Sequence, residues 1–307
     1  MCWLLFFTAP ALQAQQGTVT FALIGDVPYN ALEVFALDAM IGELNREDLA
    51  FIIHVGDITS GIGPCTDAWF EARKRQLQKV KHPLVLIPGD NDWVDCHRSG
   101  MAPLERLEKF RQLFEAGDES LGRRPLRLER QSGVEFGEYR EHMRWIAGNV
   151  IFIGLNVQGS NNNLGRTAAM DAEHAKRMRA VFAWLDEGMA LAEKQQLAGV
   201  VIFAQANPDF EGRLRRSGVA DGFVEFRNAL RNHALQTQKP MLFVHGDTHI
   251  YRQDRPLRDP ATGKQIEHFV RVEVFGSPQV RWIRARIDPA SAQVFRVEPV
   301  RSAMQPE

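Results

Sequence analysis

Cysteine is almost missing from this chain, with three residues in 307 and one of those at position 2. That excludes a disulfide-rich scaffold, and no C-x-x-C pair marks a structural zinc site or a dithiol redox centre. Past the first residues there is no apolar run of about 18 residues, so the body of the chain holds no membrane span. Neither sign of charge is in excess. Lys and Arg number 37 against 38 Asp and Glu, so no global field draws nucleic acid or anionic lipid, and nucleic-acid binding as a main role is disfavoured. There is no internal repeat, low-complexity tract or Pro/Ser-rich linker. A G-x-S-x-G elbow is also lacking, which argues against a serine hydrolase.

What is present is ordinary in bulk. A mass of 34.8 kDa, 45% hydrophobic and 24% charged residues describe a globular chain, long enough for one large α/β domain or two average ones. The opening MCWLLFFTAPALQAQQG reads as the later parts of a secretory signal peptide without its usual positive start, with cleavage after Ala11 or Ala14. The division is residues 1–16 as leader and 17–307 as one domain, in the periplasm or secreted; the alternative is a frayed apolar N-terminus of a cytosolic protein. Removing Cys2 with the leader leaves Cys65 and Cys96, both in loops that leave strand ends. A disulfide between them would staple two loops in an oxidising compartment. Two free buried thiols are the alternative.

Short runs rich in Val, Ile, Leu and Phe at 18–25, 50–56, 84–88, 150–156, 199–205 and 241–246 read as buried central strands. Helical patterns fall at 31–45, 67–80, 103–115, 172–195 and 222–236. In the fourth, Met178, Phe182, Leu185, Met189 and Ala192 form one apolar stripe, a core face. This alternation predicts parallel βαβ units. MRWIAGNVIFIGLN reads as a hairpin turning at Gly148-Asn149. From residue 268 apolar and charged residues alternate, which predicts an antiparallel meander with one wet face. The basic stretch 119–133 reads as a solvated surface loop. Together these predict two packed sheets flanked by helices.

Four of the apolar runs end alike, in Gly-Asp: FALIGD at Asp26, FIIHVGD at Asp57, LVLIPGD at Asp90 and MLFVHGD at Asp247. In open α/β sheets ligands collect at the carboxyl ends of strands. Several carboxylates meeting there need cations among them, and a divalent metal is the usual answer. His249, two residues past Asp247, adds an imidazole on the same loop. By contrast His54 and His245, which precede motif glycines inside apolar runs, read as strand histidines satisfied by backbone.

The order GD, GD, GDND, GDTH resembles the calcineurin-like metallophosphoesterase superfamily, whose pattern is D-x-H, G-D, G-N-H-[D/E], a later His, and G-H-x-H. The match spans residues 26–249. The resemblance implies an α/β four-layer sandwich, two packed mixed β-sheets flanked by helices, and a dinuclear centre that hydrolyses phosphate esters. One metal would take Asp26, Asp57 and His249, and the second Asp57, Asp90 and Asp247, with Asp57 bridging. The family's other ligands are changed: Pro28 stands for one histidine, and the later histidine falls where only Asn207 or Gln205 can serve. Asn207 is placed with the ligands and Gln205 with substrate.

Asn91 occupies the position of the family's catalytic histidine, with Asp92 orienting its loop. His97 and Arg98, following Cys96, could replace that histidine as general acid and grip phosphate oxygens. In the run GSNNN, Asn161 and Asn162 could contact substrate, or serve only a turn. Trading imidazoles for carboxylates and amides favours Mn²⁺ or Mg²⁺, with Ca²⁺ also accommodated, over a zinc or iron pair. The expected function is therefore hydrolysis of a small-molecule phosphate ester by metal-activated water, the alternative being a degenerate relative that binds metal or a phosphorylated ligand without turnover.

Overall fold

The computed structural model describes residues 17–213 and 218–301, so the leader lies outside the described residues. Strands β1 (Val19–Ile24), β2 (Ile52–His54) and β3 (Leu84–Leu86) run parallel. They share a five-stranded sheet of order β12-β11-β1-β2-β3 with β11 (Ile283–Ile287) and β12 (Phe295–Pro299). The second sheet has order β4-β5-β6-β7-β8-β10-β9. It contains β4 (Glu129–Arg130), β5 (Met143–Ala147), β6 (Val150–Gly154), β7 (Gly199–Phe203), β8 (Met241–His245), β9 (Arg252–Asp254) and β10 (Phe269–Glu273). Its central four strands are parallel and its edges antiparallel.

Alternation along each strand explains the near-continuous apolar runs. On β1, Phe21 and Leu23 enter the core between the sheets, while Ala22 and Ile24 meet the helices outside. Helices α1 (Ala31–Leu44), α2 (Asp67–Leu77) and α3 (Pro103–Phe114) cover the five-stranded sheet. Beyond a one-turn element α4 (Gly159–Asn162), helices α5 (Ala168–Lys194) and α6 (Val224–Gln236) cover the other. The result is the expected four-layer α/β sandwich. The stripe of Met178, Leu185, Met189 and Ala192 is buried against the second sheet. The hairpin turns at Gly148 and Asn149, both with positive φ of 55° and 58°, as a type I′ turn requires. Helix α5 starts at Ala168, four residues before the expected start, because the Thr167 side chain accepts from the Met170 backbone N–H.

Two expectations are corrected. The C-terminal segment is not one meander: β10 lies parallel beside β8, and residues 274–282 carry the chain to the other sheet, where only β11 and β12 form a hairpin. The charged residues of β10 are not on a wet face either. Arg271 is fully buried and pairs with Asp254 and Glu211, and Glu273 is buried against Thr248 and Arg252. Ion pairs that bury the strand's own charge against partners on other segments leave the same period-two pattern as a solvated face. The stretch 119–133 is likewise more than a solvated loop, since Leu121 bridges to Leu84 and Arg130 is buried against Glu115 in β4's extension of the sheet.

A buried ion pair gives a pH-dependent handle on this fold. Glu141 accepts from Arg111 Nε at 2.8 Å and Nη2 at 2.7 Å, and from Asn156 at 2.8 Å. Burial pushes the Glu141 carboxyl up, but Arg111 outweighs it and holds the value at about 2, below the ordinary 4.5. The pair's stabilisation is therefore complete above about 4.5 and is lost as pH falls through about 2. Urea unfolding across that window is expected to show stability dropping with acid. Glu141→Gln should flatten the slope and cost about 3–5 kcal/mol at neutral pH by stranding Arg111.

Candidate metal centre

Asp26, Asp57, Asp90 and Asp247 leave the carboxyl ends of β1, β2, β3 and β8; the first three are buried and Asp247 is half-buried. Three of them, and His249, have left-handed backbones: φ is 52° at Asp26, 60° at Asp57, 81° at Asp247 and 63° at His249. Such conformations cost non-glycine residues energy and persist where the surroundings over-determine them. The loops touch backbone to side chain. A β-carbon at Gly246 would stand 2.0 Å from Asp26 Oδ2, and one at Gly159 would stand 2.4 Å from Asp247 Oδ1 and 2.8 Å from Asp90 Oδ2. Only glycine admits the carboxylates so closely.

Hydrogen bonds fix each acid. Asp26 Oδ1 accepts from the Asp247 N–H at 3.0 Å, and Asp247 Oδ2 from the Asn207 N–H at 3.0 Å. Asp57 Oδ1 accepts from the Asn91 N–H at 3.0 Å, while Oδ2 accepts from the Tyr29 hydroxyl at 2.9 Å. The Gln205 amide N–H₂ stands between Asp57 Oδ2 at 3.2 Å and Asp26 Oδ1 at 3.5 Å, and its oxygen accepts from the Gly159 N–H at 2.6 Å. Asp92 ties the loops together, accepting from the N–H groups of Asp57, Ile58 and Gly89. The Cys65–Cys96 disulfide forms and lies against the Asn91 carbonyl, 3.6 and 3.4 Å from the two sulfurs.

Burial, followed by mutual repulsion, pushes the Asp57 and Asp247 carboxyls well above the usual range. Burial likewise pushes Asp26 well up and Asp90 to about 7, with Asp95 adding repulsion at Asp90. Among the described residues, no three His, Cys, Asp or Glu side chains are gathered so as to hold a metal ion as they stand. The side chains between them show why: the Gln205 amide and the Tyr29 hydroxyl occupy the gaps, and His249 Nε2 is 4.0 Å from Asp26 Oδ1. The donor set nevertheless fits divalent cations. Four acids from the strand ends of both sheets meet here, among the described residues no Lys or Arg side chain is bonded to them, and buried Asp26 Oδ2 has no hydrogen-bond partner there. If the acids hold metal, Gly159→Ala, which forces Asp90 and Asp247 aside, should lower affinity by about 10–100-fold. Isothermal titration with Mn²⁺ checks this, and an unchanged affinity would remove those two acids from the set.

The remaining candidates are placed as follows. Asn207 turns its side-chain oxygen to the Asp209 N–H at 3.0 Å, although its backbone holds Asp247. His97 is exposed, with Nδ1 2.8 Å from both the Val94 carbonyl and Arg166 Nη1. Arg98 pairs with buried Asp95 at 2.8 Å. Asn161 and Asn162 latch their own loop, donating to Ala220 and Gly222 carbonyls, and Asn162 Oδ1 accepts from Arg177. Ser160, Asn161, Asn162 and Asn163 all have positive φ, a left-handed turn that asparagine tolerates better than most residues. His54 and His245 are fully buried, and burial lowers them to about 4 and about 3, so they are neutral strand histidines.

Sequence reasoning missed Tyr29 and Ser160. The Tyr29 hydroxyl meets Asp57, the His249 ring nitrogen at 3.1 Å and the Asn91 amide at 2.9 Å. Its signal was its position, directly after the Pro28 that replaces a family histidine. Ser160 donates to Asp95 at 2.8 Å and also bonds Asp90.

No known family profile matches this chain, and no curated protein matches it in sequence. Solved structures do. It is similar to the structure of PhoD, with 14% identity and a TM-score of 0.57, covering 92% of this chain and 66% of that one. Purple acid phosphatase PPD1 from yellow lupin (Lupinus luteus) seeds gives 12% and 0.53, covering 93% and 54%. TT1561 of Thermus thermophilus gives 12% and 0.50, covering 93% and 100%. The chain has the calcineurin-like metallophosphoesterase fold. It spans just under two thirds of the first of these chains and about half of the second.

Proposed function

We propose that this protein is a metal-dependent phosphoric ester hydrolase of the periplasm or cell exterior, a single catalytic domain behind a cleaved leader. The observation that carries the reading is the convergence of four strand-end carboxylates, three of them buried and Asp247 half-buried, with an Asp26 oxygen that has no hydrogen-bond partner among the described residues. Asp26, Asp57 and His249 would hold one divalent ion, and Asp57, Asp90 and Asp247 a second, with Asn207 completing it. When bound, such ions, Mn²⁺ or Mg²⁺ by the oxygen-rich donor set, supply Lewis-acid charge and an ionised water. The chain's own part is positional. Tyr29 and the Asn91 N–H orient Asp57, Asp92 locks the loops, and Arg98 grips phosphate oxygens. His97 donates the proton to the leaving oxygen, the task that Asn91 cannot perform. The disulfide supports an oxidising compartment.

A second reading, metal or phospholigand binding without turnover, draws support from Gln205, which presents N–H rather than oxygen to the acids. Metal analysis of the purified chain, followed by assays of phosphomonoesters, diesters and nucleotides with Mn²⁺ or Mg²⁺, separates the two. Two bound equivalents and hydrolysis of at least one of these esters are expected, read as phosphate from monoesters and as the freed alcohol from diesters. Metal uptake without release from any ester would leave the binding reading, and no uptake would sink both.

A further inference from the structure

The Tyr29 hydroxyl has more claims on it than it has protons. Asn91 Nδ2 donates to its oxygen at 2.9 Å, while Asp57 Oδ2 at 2.9 Å and His249 Nε2 at 3.1 Å both face it. The neutral histidine ring carries one proton, and Nδ1 spends it on the Ser277 carbonyl at 2.8 Å. Nε2 therefore presents a lone pair, as Asp57 Oδ2 does. One O–H can serve only one of them. The other faces the phenol oxygen as one electron-pair donor against another, and a cation would satisfy all three at once. Atoms bound to one divalent ion at about 2.0–2.1 Å stand about 3 Å apart at adjacent corners of an octahedron. The spacings of the phenol oxygen from Asp57 Oδ2 and His249 Nε2 are of that size.

The surroundings hold this cluster in place. Glu33, buried in the first turn of α1, accepts from the Tyr29 N–H and from the Ser277 hydroxyl, both at 2.7 Å. It ties the residue bearing the phenol to the loop that fixes the imidazole. The Ser277 N–H in turn donates to the Asp26 carbonyl at 3.0 Å. A β-carbon at Gly276 would stand 2.6 Å from Asp26 Cβ and 2.7 Å from His249 Cδ2, so only glycine lets those two residues pack so closely. Asp26, Tyr29 and His249 are thus positioned by one short loop and one buried carboxylate.

We infer that Tyr29 is itself a ligand of the ion assigned to Asp26, Asp57 and His249, and holds it as phenolate. The inference deepens the hydrolase reading above and rests on its metal centre. On binding, the phenol O–H bond breaks, its electron pair stays on oxygen and forms the bond to the ion, and the proton passes to solvent. Asn91 keeps its part, since its amide donates to a phenolate as it does to the phenol. The competing arrangement is an outer role, in which Tyr29 keeps its proton and only orients Asp57.

The test is titration of the full chain with Mn²⁺ at neutral pH, followed by calorimetry and by near-ultraviolet difference absorbance. The chain has three tyrosines, Tyr29, Tyr139 and Tyr251, so a tyrosinate band can be assigned by substitution. The wild type should develop the band of a single tyrosinate and release about one proton more than Tyr29→Phe, counted from the dependence of the binding heat on buffer. Tyr29→Phe keeps the ring that packs against His249. It should lose the band and bind one of the two ions about 10–100-fold more weakly. Tyr251→Phe should behave as the wild type. Mn²⁺ uptake by the wild type without a tyrosinate band would overturn the inference and leave the metal centre and the hydrolase reading standing. So would a band that survives in Tyr29→Phe, or an unchanged affinity in that variant. No uptake at all would remove the inference together with the hydrolase reading.

Discussion

Asp57→Asn should lower phosphate-ester turnover by on the order of 10³-fold, the scale of losing a principal charge-stabilising group. The substitution is nearly isosteric. The introduced amide oxygen still accepts from the Asn91 N–H, and Asp92 still holds the backbone N–H at position 57, so the loop keeps its shape. What disappears is the negative charge of the carboxylate assigned to both ions. Thermal stability supplies an independent readout. A ligand present at a thousandfold its dissociation constant stabilises the native state by about 4 kcal/mol, and a thousandfold weaker affinity leaves under about 1 kcal/mol. Melting curves with and without Mn²⁺ should therefore show a large metal-induced rise for the wild type and almost none for the variant. A full rise in Asp57→Asn would remove Asp57 from the centre, whatever the kinetics showed.

Removing the disulfide should cost stability on the same scale as breaking the Glu141–Arg111 pair. Cys65 and Cys96 are 31 residues apart in sequence, and freeing a loop of that length costs about 3–4 kcal/mol in the chain-entropy account. Denaturant unfolding of Cys65→Ser/Cys96→Ser checks the figure. The double variant should also turn over more slowly. The two sulfurs flank the carbonyl of Asn91, whose N–H orients Asp57 and whose amide holds the Tyr29 hydroxyl. Loss of stability with undiminished turnover would show the bridge to be a staple without a part in positioning the site.

Much of the architecture was readable because the strands are buried on both faces. Apolar runs such as FIIHV need no partner to be recognised, and Gly-Asp at four run ends marks the carboxyl ends of strands in both sheets. The corrections share a cause. Arg271 and Glu273 look solvent-facing in sequence, yet they are buried by Asp254, Glu211, Arg252 and Thr248, which lie on other segments. Strand pairing is a choice among partners, and the period-two pattern of β10 suits a place beside β8 as well as one beside β11. The fold's likeness to solved structures at 12–14% identity has the same origin, since packing constrains residue class more than residue identity.

The sequence by itself determined the layers, the edge at which the acids emerge and the chemical character of the donor set, because periodicity and residue type are local properties. Only the tertiary structure decided which groups meet. Tyr29, 28 residues from Asp57 and 220 from His249, closes the gap between them. Gln205 turns its N–H₂, and not its oxygen, toward the acids because the Gly159 N–H claims that oxygen. Directions of this kind are set by hydrogen bonds between remote segments, and no window along the chain contains them.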